Sequence, residues 1–141
     1  MRFWDSSALF PLLVEEPRSA LVRQLLDDDP EIVAWWGTPV ECGSAVARLR
    51  RERRIDDVDE DRLHDLLARL RAAWIEILPG EEVRLQAMRL LRVHPLRSLD
   101  ALQLAAAVVW AGSPARGGLV TFDERLRAAA RAEGFNAYPL S

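Results

Sequence analysis

The chain has 141 residues, half of them hydrophobic and 29% charged, with a net charge of −3. That length buries one sizeable core, and the balance of apolar and charged residues excludes a disordered or fibrous chain. All 19 basic residues are arginine, which excludes the phosphate loop and Schiff-base catalysis and argues against receiver domains and haloacid-dehalogenase-type phosphatases, which use a lysine beside their acids. An acidic chain has no global attraction for a polyanion, so such a partner needs a local patch or a bound cation. The single Cys42 cannot form an internal disulfide and fits a reducing, cytoplasmic setting. Asp5 and Pro11 interrupt the first apolar run, which therefore does not read as a signal peptide. The longest uncharged apolar stretch, "LAAAVVWA" at 104–111, is too short to span a bilayer, so no membrane association is expected.

In chain order, "RFWD" (2–5) predicts a short strand and "SSALFPLLVEE" a helix. "PRSALVRQLLDDD" (17–29) predicts a second helix with Pro17 near its start. "EIVAWW" (31–36) has the content of a buried strand; as a strand it points its adjacent tryptophans to opposite faces, and a sheet covered on both sides has room to bury both. "GTPVECGSAVARLRRERR" predicts a helix capped by Thr38, with Pro39 at its first position. An amphipathic helix over about 58–73 leads into the strand "WIEILP" (74–79). Helices follow at 80–94 and 98–112, then the strand "GGLVTFD" (117–123), a short helix ending at Gly134, and a last extended piece, "NAYPL". Strands alternating with helices predict an α/β domain spanning 1–141, with a mainly parallel sheet covered on both faces. Ligands of such sheets bind beyond the carboxyl ends of the strands, where strand order reverses.

Four acids stand at such places. Asp5 and Asp123 end apolar strands, Glu41 opens the helix after "EIVAWW", and Asp100 lies in the first turn of the helix from Ser98. Each has a plain alternative use as a helix cap, and "TPVE" fits a capping box in which Glu41 reaches back to Thr38. Together they read differently, because carboxylates crowded into apolar surroundings repel one another and must protonate or take up a cation. Oxygen ligands alone suit a hard ion such as Mg²⁺ or Mn²⁺. His64, His94 and Cys42 have no zinc-ligand spacing.

"DSSAL", "TPVECGSAVARLRR", "SLDALQLAAA" and "LVTFDERLRAAA", in that order and at these separations, resemble the PIN domain. More narrowly, the chain is similar to the VapC toxins of bacterial type II toxin–antitoxin pairs, over essentially its whole length. The resemblance implies a three-layer α/β/α PIN-like fold and a Mg²⁺- or Mn²⁺-dependent endoribonuclease. It implies that Asp5, Glu41, Asp100 and Asp123 hold the metal and that Ser6 and Thr121 orient carboxylates or water. It also implies a homodimer and a cognate VapB-type antitoxin that blocks the groove. Many relatives carry histidine three residues after the third acid. Gln103 stands there instead, and as a group that does not titrate it is expected to touch substrate rather than move a proton.

"RLRRERR" (48–54) is the strongest basic patch, and Arg48, seven residues after Glu41, shares its helix face. It reads equally as a solvated helix end or as a backbone-phosphate contact. Trp4 and Trp74 read as core, and Trp110 as core or dimer interface. The reading is thus an endoribonuclease toxin hydrolysing RNA. The alternatives are a PIN-like module that binds RNA or protein without cutting, or a metal-dependent nuclease acting on DNA, since nothing in the residues themselves selects the 2′-hydroxyl.

Overall fold

The computed structural model describes residues 1–112 and 115–140. Among them, five strands form one sheet: β1 (Arg2–Trp4), β2 (Ile32–Trp35), β3 (Ile75–Ile77), β4 (Gly118–Val120) and β5 (Asn136–Tyr138). Their order is β3-β2-β1-β4-β5, and every neighbouring pair is parallel. Parallel neighbours need a crossover, and each one here is helical. Helices α1 (Ser6–Leu13) and α2 (Ser19–Asp28) join β1 to β2, and α3 (Thr38–Arg51) and α4 (Asp57–Ala73) join β2 to β3. Helices α5 (Glu81–Val93) and α6 (Ser98–Ala111) join β3 to β4, and α7 (Glu124–Ala132) joins β4 to β5.

Side-chain alternation along the strands divides the core in two. Phe3, Val33 and Leu119, paired across the sheet, face a cluster built with α5, α6 and α7. Trp4, Ile32, Ala34 and Val120 face the other cluster, built with α1 to α4. The result is a three-layer α/β/α fold. The helix α6 is apolar on nearly every side and accordingly lies inside, with Ala101, Leu104, Ala105, Ala106 and Ala107 fully covered. Its alanines let it sit close to the sheet, whereas α4, opened by an Asp56–Asp59 capping box, buries only Leu63 and Leu67. Trp35 is buried but Trp36 is about half exposed, at 49%, because the strand ends at Trp35 and no layer covers the next residue. Of the two adjacent tryptophans, the sheet thus covers only Trp35.

From β1 the chain steps outward to β2 and β3 on one side, and to β4 and β5 on the other. The direction of winding therefore reverses between β1 and β4. The carboxyl ends of these two strands carry Asp5 and Asp123.

Candidate active site

Asp5 caps α1 from an extended backbone conformation and is buried, with 4% of its surface exposed. Its Oδ2 accepts the Ser7 hydroxyl at 2.6 Å and the Thr121 hydroxyl at 2.8 Å, besides a longer Ser7 N–H contact at 3.4 Å. Each hydroxyl has a single proton, and both are spent on Asp5. The oxygens then serve as acceptors: Ser7 Oγ for Phe122 N–H at 2.9 Å, Thr121 Oγ1 for Asp123 N–H at 3.1 Å. One carboxylate thus ties the end of β1 to the end of β4. Burial raises the Asp5 pKa, and the hydrogen bonds from Ser7 and Thr121 only offset this in part. Ser7 is not among the residues predicted for the site; the "Asp-Ser-Ser" run after a strand is the sequence signal that points to it.

Glu41 lies one turn into α3. Ser6 Oγ stands 3.2 Å from its Oε1 and 3.4 Å from Asp5 Oδ1, so one hydroxyl spans the two acids. Gln103 donates to Glu41 Oε2 at 2.7 Å and to Thr38 Oγ1 at 2.9 Å. The Glu41 pKa is raised, first by burial and then by the charges of Asp5 and Asp100. No capping box forms at this helix. Gly37 is the cap, without a side-chain bond, and a Cβ there would stand 2.5 Å from the Trp35 indole nitrogen. Thr38 is already inside the helix, with its hydroxyl turned to Gln103, and Glu41 is left for the cluster instead of the backbone.

Asp100 sits in the first turn of α6 with its pKa raised by burial, then by the charge of Asp123, with a smaller push from Asp5. Asp123 caps α7 by accepting from Leu126 N–H at 2.9 Å. Of the four acids, Asp5 and Asp123 are helix caps, and the charge of Asp5 reaches Glu41 and Asp100 while that of Asp123 reaches Asp100. All four meet at one edge of the sheet. A cleft of about 540 Å³ opens there, lined by Glu41, Asp100 and Asp123 together with Arg97 and Arg125. Another, of about 290 Å³, shares Glu41 as a wall and continues along Ser6, Ser7, Phe10 and Arg18. A larger and more apolar cleft, about 710 Å³, lies away from the acids along Met88, Leu91 and Val93.

Among the described residues, no three acid, histidine or cysteine side chains are drawn together into a ready-made metal cage. The four acids share a neighbourhood, not a closed coordination sphere. In kind, however, they fit a hard dication: an all-oxygen donor set in which Asp5, Glu41 and Asp100 hold their protons more tightly because of burial, with the charges of neighbouring acids adding to the effect at Glu41 and Asp100. Gln103 differs from its expected role as a substrate contact. It is buried, at 1% exposure, both amide hydrogens are spent on Thr38 and Glu41, and its Oε1 has no partner among the described residues. Any effect it has on a ligand passes through Glu41. Arg48 is exposed on α3 and lines neither cleft beside the acids. Cys42, next to Glu41, is buried, and its thiol is pushed up to about 12 by burial and then by the charges of Glu41 and Asp5.

Comparison with known proteins agrees with this architecture. The PIN domain family model matches residues 2–132. The chain is 33% identical to ribonuclease VapC45 and to ribonuclease VapC49 of Mycobacterium tuberculosis, over 97% of this chain and 94% of each relative. Among solved structures, Mycobacterium tuberculosis VapC20, a toxin that cleaves the sarcin–ricin loop, superposes with a TM-score of 0.71 at 16% identity. That match covers 96% of this chain and 97% of the toxin. A toxin–antitoxin complex from Klebsiella pneumoniae superposes with a TM-score of 0.64 at 17% identity, covering 91% of each chain. With the four acids meeting at the switch point of a parallel sheet and the likeness running the length of the chain, this protein belongs to the PIN-domain family, among its VapC-type ribonucleases.

Proposed function

We propose that this protein is a divalent-metal-dependent endoribonuclease and the toxin of a VapBC-type pair. It acts in the cytoplasm as a homodimer whose groove a cognate VapB-type antitoxin blocks. One observation carries the catalytic part: Asp5, Glu41 and Asp100, from three separate segments, each have a pKa raised by burial, and Glu41 and Asp100 are pushed further by the charges of neighbouring acids. Such crowding costs stability unless a cation relieves it. Similarity to curated VapC ribonucleases over nearly the whole chain supports RNA as the substrate. The toxin–antitoxin complex among the structural neighbours supports the partner.

Asp5, Glu41, Asp100 and Asp123 would hold Mg²⁺ or Mn²⁺. Such an ion supplies Lewis acidity and charge neutralisation for hydrolysis of a phosphodiester. The protein's own side chains set up that chemistry. Ser7 and Thr121 fix the Asp5 carboxylate by hydroxyl bonds, and Gln103 fixes Glu41. Ser6, within reach of both acids, keeps a hydroxyl where it can orient water. Arg97 and Arg125 stand beside Asp100 and Asp123 in the wider cleft, placed to receive backbone phosphates. Because the cluster is fixed before substrate arrives, little rearrangement is needed at the moment of reaction.

Purified protein with Mg²⁺ is expected to cut single-stranded RNA but leave single-stranded DNA of the same sequence, and EDTA is expected to stop it. Asp5→Asn should lower cleavage by more than about a hundredfold, beyond the usual loss from an outer partner of a metal ligand. A folded Asp5→Asn protein that cuts within a few fold of wild type removes this acid from the mechanism.

A further inference from the structure

The cleft on the Ser6 side of Glu41 contains a cation that the acid cluster does not use. Arg18 precedes α2 and makes no side-chain cap bond. Its guanidinium instead lies over the Phe122 ring, 4.4 Å from the centroid, and the residue is solvent-exposed. No carboxylate among the described residues lies within ion-pair distance of it, although Glu16 and Glu41 line the same cleft. Phe122 is not a casual neighbour. It stands between Thr121 and Asp123, and its N–H is held by Ser7 Oγ at 2.9 Å. The turn that presents Asp123 therefore also fixes where Arg18 rests.

We propose that Arg18, held over Phe122, is a backbone-phosphate subsite for single-stranded RNA, on the other side of Glu41 from Arg97 and Arg125. The inference rests on the acid cluster being the cutting centre. A strand crossing that cluster carries a negative charge at every linkage past carboxylates of the same sign. The linkages on either side of the one being cut each need a fixed cation, and each cleft that shares Glu41 as a wall supplies arginine. Stacking on an aromatic face leaves the N–H edge of a guanidinium free to fork onto a phosphate. It also restrains a long side chain in advance, so less freedom is lost on contact. Lysine provides neither the plane nor the fork.

Binding of a short labelled single-stranded RNA, read by fluorescence anisotropy with Mg²⁺ and in the Asp5→Asn background so that the RNA stays whole, tests this subsite. Arg18→Ala should weaken binding about five- to tenfold and reduce the slope of log affinity against log salt by about one. Phe122→Leu should lose part of the same affinity, and the double variant should bind no worse than Arg18→Ala alone, since the ring acts through the guanidinium. Arg69→Ala, an equal charge change at an exposed position of α4, should leave binding within twofold. Arg18→Ala binding as tightly as Arg69→Ala, while wild type still cuts RNA, overturns the subsite alone. A wild type that cuts no RNA, with an Asp5→Asn protein that binds none, overturns the reading of the acid cluster and this inference with it.

Discussion

Asp5 carries two duties that conflict. As a cap it satisfies the start of α1, and as a buried carboxylate it holds Ser7 and Thr121 hydroxyls across from β1 to β4. Its raised pKa means that the folded protein binds the Asp5 proton more tightly than the unfolded chain does. For a carboxylate the sign is then unfavourable: ionisation costs folding free energy, increasingly as pH climbs from the ordinary aspartate range through the raised value. At neutral pH, without a divalent ion, Asp5→Asn should therefore stabilise the fold by about 1 kcal/mol, a rise in Tm of roughly 2–4 °C. Thermal melts in EDTA check this. A variant that melts below wild type would show that the hydroxyl bonds outweigh the desolvation of the charge. Function lost and stability gained by one substitution is the signature of strain kept for a ligand.

At the scale of elements, the helices around the site are tied to one another by few polar groups. Gln103 joins α6 to α3 through Thr38 and Glu41, and Arg127 on α7 donates to the Thr121 carbonyl at 2.7 Å and the Pro139 carbonyl at 2.6 Å. That buried guanidinium braces the segment bearing Thr121 and Asp123 from behind. Far from the acids, Glu133 at the end of α7 accepts from Arg89 at 2.6 Å and pairs with His94 at 2.8 Å, joining α7 to α5. Its pKa is lowered, chiefly by the Arg89 bond and then by His94. A depressed carboxylate stabilises the fold above its unfolded pKa, and that contribution disappears as pH falls through the folded value. Glu133→Gln should thus lower Tm at pH 7, by an amount on the order of 1 kcal/mol or less because Arg89 is partly exposed. The difference from wild type should begin to close as pH falls below the ordinary glutamate value of about 4.3, and should vanish below the lowered folded value. Equal melting curves at pH 7 would show the pair contributes nothing.

At the scale of the molecule, the site exists only when the chain is folded, since its acids come from the ends of β1 and β4 and the starts of α3 and α6. A divalent ion that binds there binds only the native state and must raise its stability; at a hundred times its dissociation constant the gain is about 2.7 kcal/mol. Adding Mg²⁺ or Mn²⁺ should raise the Tm of wild type by several degrees and that of Asp5→Asn by much less. A wild-type curve that ignores both ions would leave the four acids as caps and neighbours only. None of the helices in the described residues is long and apolar enough to cross a membrane.

The amino-acid sequence by itself determined the alternation of strands and helices, the parallel sheet and the positions of Asp5, Glu41, Asp100 and Asp123, because apolar period and punctuation are local properties of a chain. It also determined that acids interrupt apolar runs at places where such sheets bind ligands. What the tertiary structure alone decided are the partners of those acids. Thr38 looks like a cap and Glu41 like its reciprocal, yet the cap is Gly37, and both side chains turn to Gln103, more than sixty positions away in the chain. Gln103 looks like a group facing substrate and is buried; Ser7 and Arg18 look like ordinary helix-start residues and border the site. Helix propensity and capping preference act over three or four residues. A hydrogen bond between segments depends on which strands pair and how closely α6 approaches the sheet, and that is settled only by packing the whole core.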